Sequence, residues 1–317
     1  MKVSELFKYA VKRGMEKDPR GKVGLKRYLE DAKKEYYRLD DAEKWQFDSE
    51  RLWNPYDDSR ILNNPGDPEV KKVLLGINID TAEVLVADRL NEKGEDIDLV
   101  IGHHPRGKGM PELYKVMDLQ KDFYAQWGVP INVAEQLMEP RIDEVMRAML
   151  PFNHNQAIDS ASLLGINVMC THSPSDILAQ DFMQKNLDDQ DFVTVADVVS
   201  HIKTIPEYRQ ATLLNNGPRV IVGKKKNRAG KVAVKFAGGT GGAKTLYEAF
   251  ETAGVGTYIC MHIKEDHIEL AQKHHINVIV AGHMPSDSLG MNLLYGELEK
   301  QGLKIIRFSG LIPPGEV

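Results

Sequence analysis

Two short apolar runs in this chain each end in histidine. Ile97 to Gly102 leads into His103-His104-Pro105, and Ile276 to Gly282 leads into His283-Met284-Pro285. A strand buried on both faces reads as a continuous apolar run, and residues just past its carboxyl end are where open α/β sheets place their chemistry. Two such runs point to two related units sharing one site. Neutral imidazole nitrogens ligate divalent metals, so the first expectation is a metal site in the cleft between two α/β units.

At 317 residues the chain can hold two cores of ordinary size. A net charge of -5 provides no broad positive field, so nucleic acid is not an expected partner. Cys170 and Cys260 sit at the ends of apolar runs and fit reduced thiols, with metal ligation as the minor reading. The opening MKVSELFKYAVKRG carries charges along its whole length, and no apolar run is long enough to span a bilayer. A cytoplasmic, membrane-free location is expected.

The organisation predicted is an N-terminal helical extension over 1–55, a first α/β unit over 56–190 with a helical insertion at 111–160, and a second over 191–317. Helical spacing covers 3–15 and roughly 25–50, and Val73 to Ile79 reads as an interior strand. Asp80 and Glu83 form a capping box for a helix whose inward stripe is Ala82, Leu85, Val86 and Leu90. In the insertion, Pro140 separates helices at 132–139 and 141–150. Ile166 to Cys170 is a strand, and a helix follows over 176–186. Strands at Val220 to Val222 and Val232 to Phe236 flank the basic run 224–230, which reads as a hairpin tip.

Gly238-Gly239-Thr240-Gly241-Gly242-Ala243-Lys244-Thr245 nearly spells a phosphate loop, with Ala243 where a glycine is required. It follows a strand and precedes a helix expected at 244–253. Three readings stay open: a true phosphate-loop enzyme, the least favoured for want of a magnesium-binding strand; contact of Gly238, Gly239, Gly241 and Gly242 with an anion; or a tight turn that these glycines permit. Adjacent His103 and His104 would diverge in a strand and can converge only on the turn leaving it. Asp176 lies four beyond His172, and Asp287 four beyond His283. Each pair shares a face if helical, and carboxylates can bridge two cations while imidazoles supply terminal nitrogens.

DLVIGHHP, THSPSD, GGTGGA and VIVAGHMPSD occur in that order, after an entry segment YDDSRILNNPGDPEVKKVLLGINID. This series resembles the dinuclear-metal family of GTP cyclohydrolase type 2 homologues, also known as NGG-interacting-factor-like proteins or domain of unknown function 34. The resemblance covers most of 56–180 and 231–310. It implies two similar α/β units with mixed sheets flanked by helices, and two divalent metal ions per chain, with zinc, iron or manganese favoured. The ligands carried over are His103, His104, Asp176, His283 and Asp287, with His172 as a nearby acid, base or substrate contact. It also implies a homohexamer.

Two departures from the family stand out. Asp287 replaces the usual glutamate, and Cys260-Met261-His262-Ile263-Lys264-Glu265-Asp266-His267 differs from the family's segment there. Two functional classes remain open: a metal-dependent hydrolase of a nucleotide or small phosphorylated, anionic substrate, and a non-enzymatic metal-handling or protein-interaction scaffold.

Overall fold

The computed structural model describes residues 1–315. The chain opens with α1 (Val3–Met15) and α2 (Gly21–Arg38), and two 3-10 turns lead to β1 (Arg60–Asn63). Then come β2 (Lys72–Gly76), α3 (Thr81–Glu92), β3 (Leu99–Gly102), α4 (Leu113–Val116), α5 (Leu119–Gln126), α6 (Ile131–Met149), α7 (Gln156–Leu164), β4 (Val168–Cys170) and α8 (His172–Asp188). The second half runs α9 (Val195–Ile202), α10 (Pro206–Leu213), β5 (Arg219–Val222), β6 (Lys231–Lys235), α11 (Leu246–Thr252), β7 (Val255–Cys260), α12 (Glu265–Lys273), β8 (Asn277–Val280), α13 (His283–Lys300) and β9 (Lys304–Arg307).

Two α/β lobes result, each with a mixed sheet flanked by helices. One sheet has the order β1-β4-β3-β2-β9 and the other β5-β8-β7-β6. In each, an antiparallel edge strand (β1, β5) lies beside the strand that feeds a long central helix, β4 into α8 and β8 into α13. The remaining pairings are parallel. Parallel strands covered on both faces must be apolar throughout, which is why β3 is buried at all its positions. The chain's last strand returns to the first sheet, with Lys72 opposite Lys304 through Leu75 opposite Arg307. Sheet membership is therefore not contiguous along the chain.

α8 and α13 pack against each other at the centre of the molecule. A Cβ on Gly290 would lie 2.4 Å from the Ser175 carbonyl oxygen, so only glycine permits this approach. Both helices are buried around most of their first turns, from His172 to Gln180 and from Pro285 to Asn292. Neither shows a clean amphipathic stripe for that reason.

Four local expectations need correction. β5 and β6 lie at opposite edges of their sheet, so the basic run 224–230 is a crossover and not a hairpin tip. α6 runs unbroken through Pro140. An interior proline costs about 3 kcal/mol, and the buried Ala134, Met138 and Val145 on both sides of it offset that at about 1.5–3 kcal/mol per large side chain. On α3 the buried positions are Val84 and Ala87, while Leu85 and Val86 are exposed. The Asp80–Glu83 capping box forms as expected, the Glu83 carboxylate accepting from Asp80 N at 3.0 Å, and the Asp80 carboxylate also accepts from Arg106. The helix expected at 176–186 begins at His172, so both His–Asp pairs are helical.

Candidate metal centre

β3 ends at Gly102 and the chain turns out of the sheet, with His103 N donating to Gly76 O and His104 N to Ile77 O, each at 3.0 Å. That turn lets adjacent histidines face one point, with ring centroids 4.9 Å apart. α8 and α13 each present a histidine and an aspartate at i and i+4 on one face. Asp287 sits in the middle. Its Oδ1 is 3.5 Å from His103 Nε2, and its Oδ2 is 3.3 Å from His104 Nε2 and 3.5 Å from His283 Nε2. Asp176 lies 3.4 Å from His103 Nε2 and 3.7 Å from His172 Nε2.

Each of three imidazoles is oriented through its other nitrogen. His104 Nδ1 donates to Asn78 Oδ1 at 2.7 Å and His172 Nδ1 to Asp58 Oδ2 at 2.7 Å. Ser175 Oγ gives its single proton to a backbone carbonyl of Thr171 or His172, so at 2.9 Å it accepts from His103 Nδ1. With the proton on Nδ1, the Nε2 lone pairs of His103 and His104 point into the cluster.

The residues fit metal. His103 Nε2, Asp176 Oδ1 and both Asp287 carboxylate oxygens are buried without a hydrogen-bond partner. Leaving such groups unsatisfied is costly, and four at one point require a shared partner. Two ligands each ~2.1 Å from a tetrahedral ion stand about 3.4 Å apart, and the separations here are 3.3–3.5 Å around Asp287. Two candidate triads, His104–His283–Asp287 and His103–Asp176–Asp287, share Asp287, and His103, His104 and His172 form a third. These clusters could coordinate a pair of metal ions.

The electrostatics divide the two carboxylates. Burial pushes Asp287 up, but the surrounding imidazoles of His103, His104 and His283 outweigh it and hold it well below the usual range. Asp176 goes the other way, raised by burial and by the charge of Asp287 against the pull of His172. Burial lowers His103 to about 4. It opposes charge on His172 too, but Asp176 and Asp58 overcome it and lift that imidazole to about 9.

Asp58, Asn78, Ser175 and Lys235 were not legible as site residues. Asp58 acts on a histidine 114 positions away, and no local spacing encodes that. The two thiols are buried and pushed up to about 11 for Cys170 and about 12 for Cys260, so they stay protonated. Within the altered 260–267 segment, His262 reaches the site, its ring centroid 5.1 Å from that of His283. His267 packs on Tyr247 instead, and Asp266 lies 4.0 Å from the exposed Lys244.

A cavity of about 470 Å³ opens on the cluster, reaching His104, His172, Asp176 and His283 and running between the glycine loop and α6. Gly238 and Gly239 have positive φ, and a Cβ on Gly238 or Gly242 would strike Gln120 or Tyr124. These glycines therefore have a packing reason independent of any ligand, whereas Gly241 borders open space and lines the cavity. The loop's carbonyls are held by α5 and α6. Gln120 donates to Gly238 O and Thr240 O, and Arg141 to Gly241 O. The helix after it starts at Leu246, shorter and later than expected.

Residues 153–310 match the family described as Duf34/NIF3 (NGG1p interacting factor 3). The whole fold superposes on a NIF3 superfamily protein from Sphaerobacter thermophilus with a TM-score of 0.75, at 25% identity over 98% of this chain and 99% of that one. Residues 153–310 thus carry the Duf34/NIF3 likeness, and the whole chain shares the fold of a NIF3 superfamily protein. Weaker likenesses reach HcgD from Methanocaldococcus jannaschii (13% identity, 78% of this chain and 87% of that one, TM-score 0.49) and TTHA1606 from Thermus thermophilus (17%, 83% and 92%, 0.47). Neither carries an argument at those scores. No curated protein matches the sequence. Neither the Duf34/NIF3 match nor the shared fold carries a GTP cyclohydrolase activity over to this chain. Among the described residues, no helix is long and apolar enough to cross a membrane.

Proposed function

We propose that this chain is a dinuclear divalent-metal protein that hydrolyses a nucleotide or small phosphorylated substrate. The observation that carries this reading is the convergence of four unpartnered buried atoms, from His103, Asp176 and Asp287, behind a cavity whose lining includes Asp176, His104, His172 and His283. His104, His283 and Asp287 would hold one ion and His103, Asp176 and Asp287 the other, with Asp287 between them. Imidazole and carboxylate donors suit zinc, iron or manganese. When bound, such a pair activates water and polarises an electrophilic oxygen.

The chain's own residues divide the remaining work. Asp58 holds the His172 ring, so a proton at Nε2 faces Asp176 and the cavity, where it can be given to a leaving oxygen or to an anion. Gly241 and its neighbours border the space where an anionic group would lie. The family resemblance adds a homohexamer as the working form.

Elemental analysis of gently purified protein should return about two transition-metal ions per chain, in keeping with a two-metal site. A screen across nucleotides and phosphate monoesters should then find a substrate whose turnover is lost in His104→Ala. Activity that survives removal of all metal would end the hydrolase reading. Reversible metal transfer without turnover would identify a metal-handling protein instead.

A further inference from the structure

Lys235 closes β6 at the cavity wall and is 6% exposed. Its Nζ donates to Thr240 O at 2.6 Å, the one hydrogen-bond partner found for it among the described residues. An ammonium carries three donors, so two remain unspent. Thr240 O already accepts from Gln120 Nε2 at 2.8 Å, so the loop does not need the lysine to satisfy that carbonyl. A buried cation without an ion pair is costly, and burial pushes Lys235 down to about 8 although Asp176 opposes the shift.

The lysine's strand is held in place from behind. Gln180 of α8 accepts from Phe236 N at 2.6 Å and from Ala237 N at 3.3 Å. The cavity is also lined by Val145, Ala148 and Met149 of α6, with Met110, Leu113 and Tyr258, an apolar stretch that follows Arg141 and Glu144 on the same helix. The cavity thus combines a fixed cation, an apolar side and the His–Asp cluster. An apolar body would bury favourably against Val145 and Met149.

We propose that Lys235 binds the anionic head of a small amphipathic substrate, a phosphate or carboxylate, whose apolar body lies against Val145 and Met149 of the insertion. This rests on the proposed function, since it places the substrate in the cavity that opens on the metal cluster, and it narrows the substrate class to organic anions with an apolar body. Phosphate and carboxylate share the head-group chemistry, and the test separates them.

The test is calorimetric titration of the full-length protein, metal-loaded and metal-free, with inorganic phosphate, butyl phosphate, hexyl phosphate and hexanoate. Wild type, Lys235→Met and Lys235→Arg are compared, with metal content measured on each. In the wild type, affinity should rise from inorganic to butyl to hexyl phosphate, and the tighter of hexyl phosphate and hexanoate identifies the head. Lys235→Met should weaken binding roughly 10–100-fold, the loss expected for a charged hydrogen bond, at unchanged metal content, and Lys235→Arg should recover most of it. If Lys235→Met does not fold, the wild-type chain-length series and the arginine variant decide.

Equal affinity in Lys235→Met, a flat chain-length series, or failure of all four probes to bind wild type would overturn the proposal. The two readings fail separately. Lys235-dependent binding in protein that never holds metal would remove the hydrolase and keep the anion site, and metal-loaded protein that binds independently of Lys235 would do the reverse.

Discussion

Residues 172–176 (His-Ser-Pro-Ser-Asp) and 283–287 (His-Met-Pro-Ser-Asp) open the two central helices with nearly the same words. Their local geometry is also the same. Each serine bonds back one turn, Ser175 Oγ to Thr171 O at 2.7 Å and Ser286 Oγ to Gly282 O at 2.6 Å, and each histidine shares a face with its aspartate. The surroundings differ. His172 has a side chain 5% exposed and held by Asp58, while that of His283 is 42% exposed. Ser175 receives His103, whereas Ser286 meets the hydroxyl of Tyr208 at 2.7 Å. Asp287 is ringed by three imidazoles and held down, and Asp176 faces the two imidazoles of His103 and His172 plus the charge of Asp287 and is pushed up. The motif aims the side chains, and the neighbours decide their charge.

The sharpest way to break this comparison is to neutralise each aspartate in turn. Asp287→Asn should abolish binding at both metal positions, because both triads use that carboxylate. Asp176→Asn should leave about one ion per chain, its triad alone being weakened. Elemental analysis beside a circular dichroism spectrum checks both, and equal metal content in the two variants would erase the asymmetry.

A core change should separate fold from site. Ile279→Ala, at a fully buried position on β8, should cost about 2–5 kcal/mol in denaturant unfolding. The folded fraction should keep its metal. Metal loss without loss of stability would show that β8 acts on the site directly.

The residues behind the ligands should have smaller effects. Asn78→Ala frees His104, and Ser175→Ala frees His103, so each should weaken metal binding roughly 10–100-fold in a competition titration with a chelator. An unchanged affinity would mean that packing alone holds the rings.

The smallest expected effect is on pH dependence. In metal-free protein burial and the charge of Asp287 raise the Asp176 carboxyl well above the usual carboxylate range, so while it is protonated an incoming ion must displace its proton. Affinity should therefore climb as pH rises through the range where Asp176 ionises and level off above it. Asp287, already ionised, contributes no such slope. Titrations between about pH 6 and about pH 9 should lose most of the climb in Asp176→Asn, and a slope unchanged there would place the released proton elsewhere.

Much of this molecule could be read from the chain alone. The apolar runs ending at Gly102 and Gly282, the histidines after them and the four-residue His–Asp spacings are all local patterns, and local patterns survive translation into strands and helices because sterics and burial act over a few residues. The two-lobed α/β fold followed from them, and the family resemblance joined His103, His104, Asp176, His283 and Asp287 into one set. Which side of α3 is buried did not, since Leu85 and Val84 are equally apolar and only the neighbouring α7 and sheet choose between them. Nor did the return of β9 to the first sheet, or the opposite edges taken by β5 and β6, because strand pairing is settled by partners far along the chain. The same holds for Asp58 on His172, for Gln120 and Arg141 on the glycine loop, and for Lys235 against the cavity. A charge or hydrogen bond depends on distance in space, and residues a hundred positions apart acquire that distance only when the two lobes and the insertion have packed together.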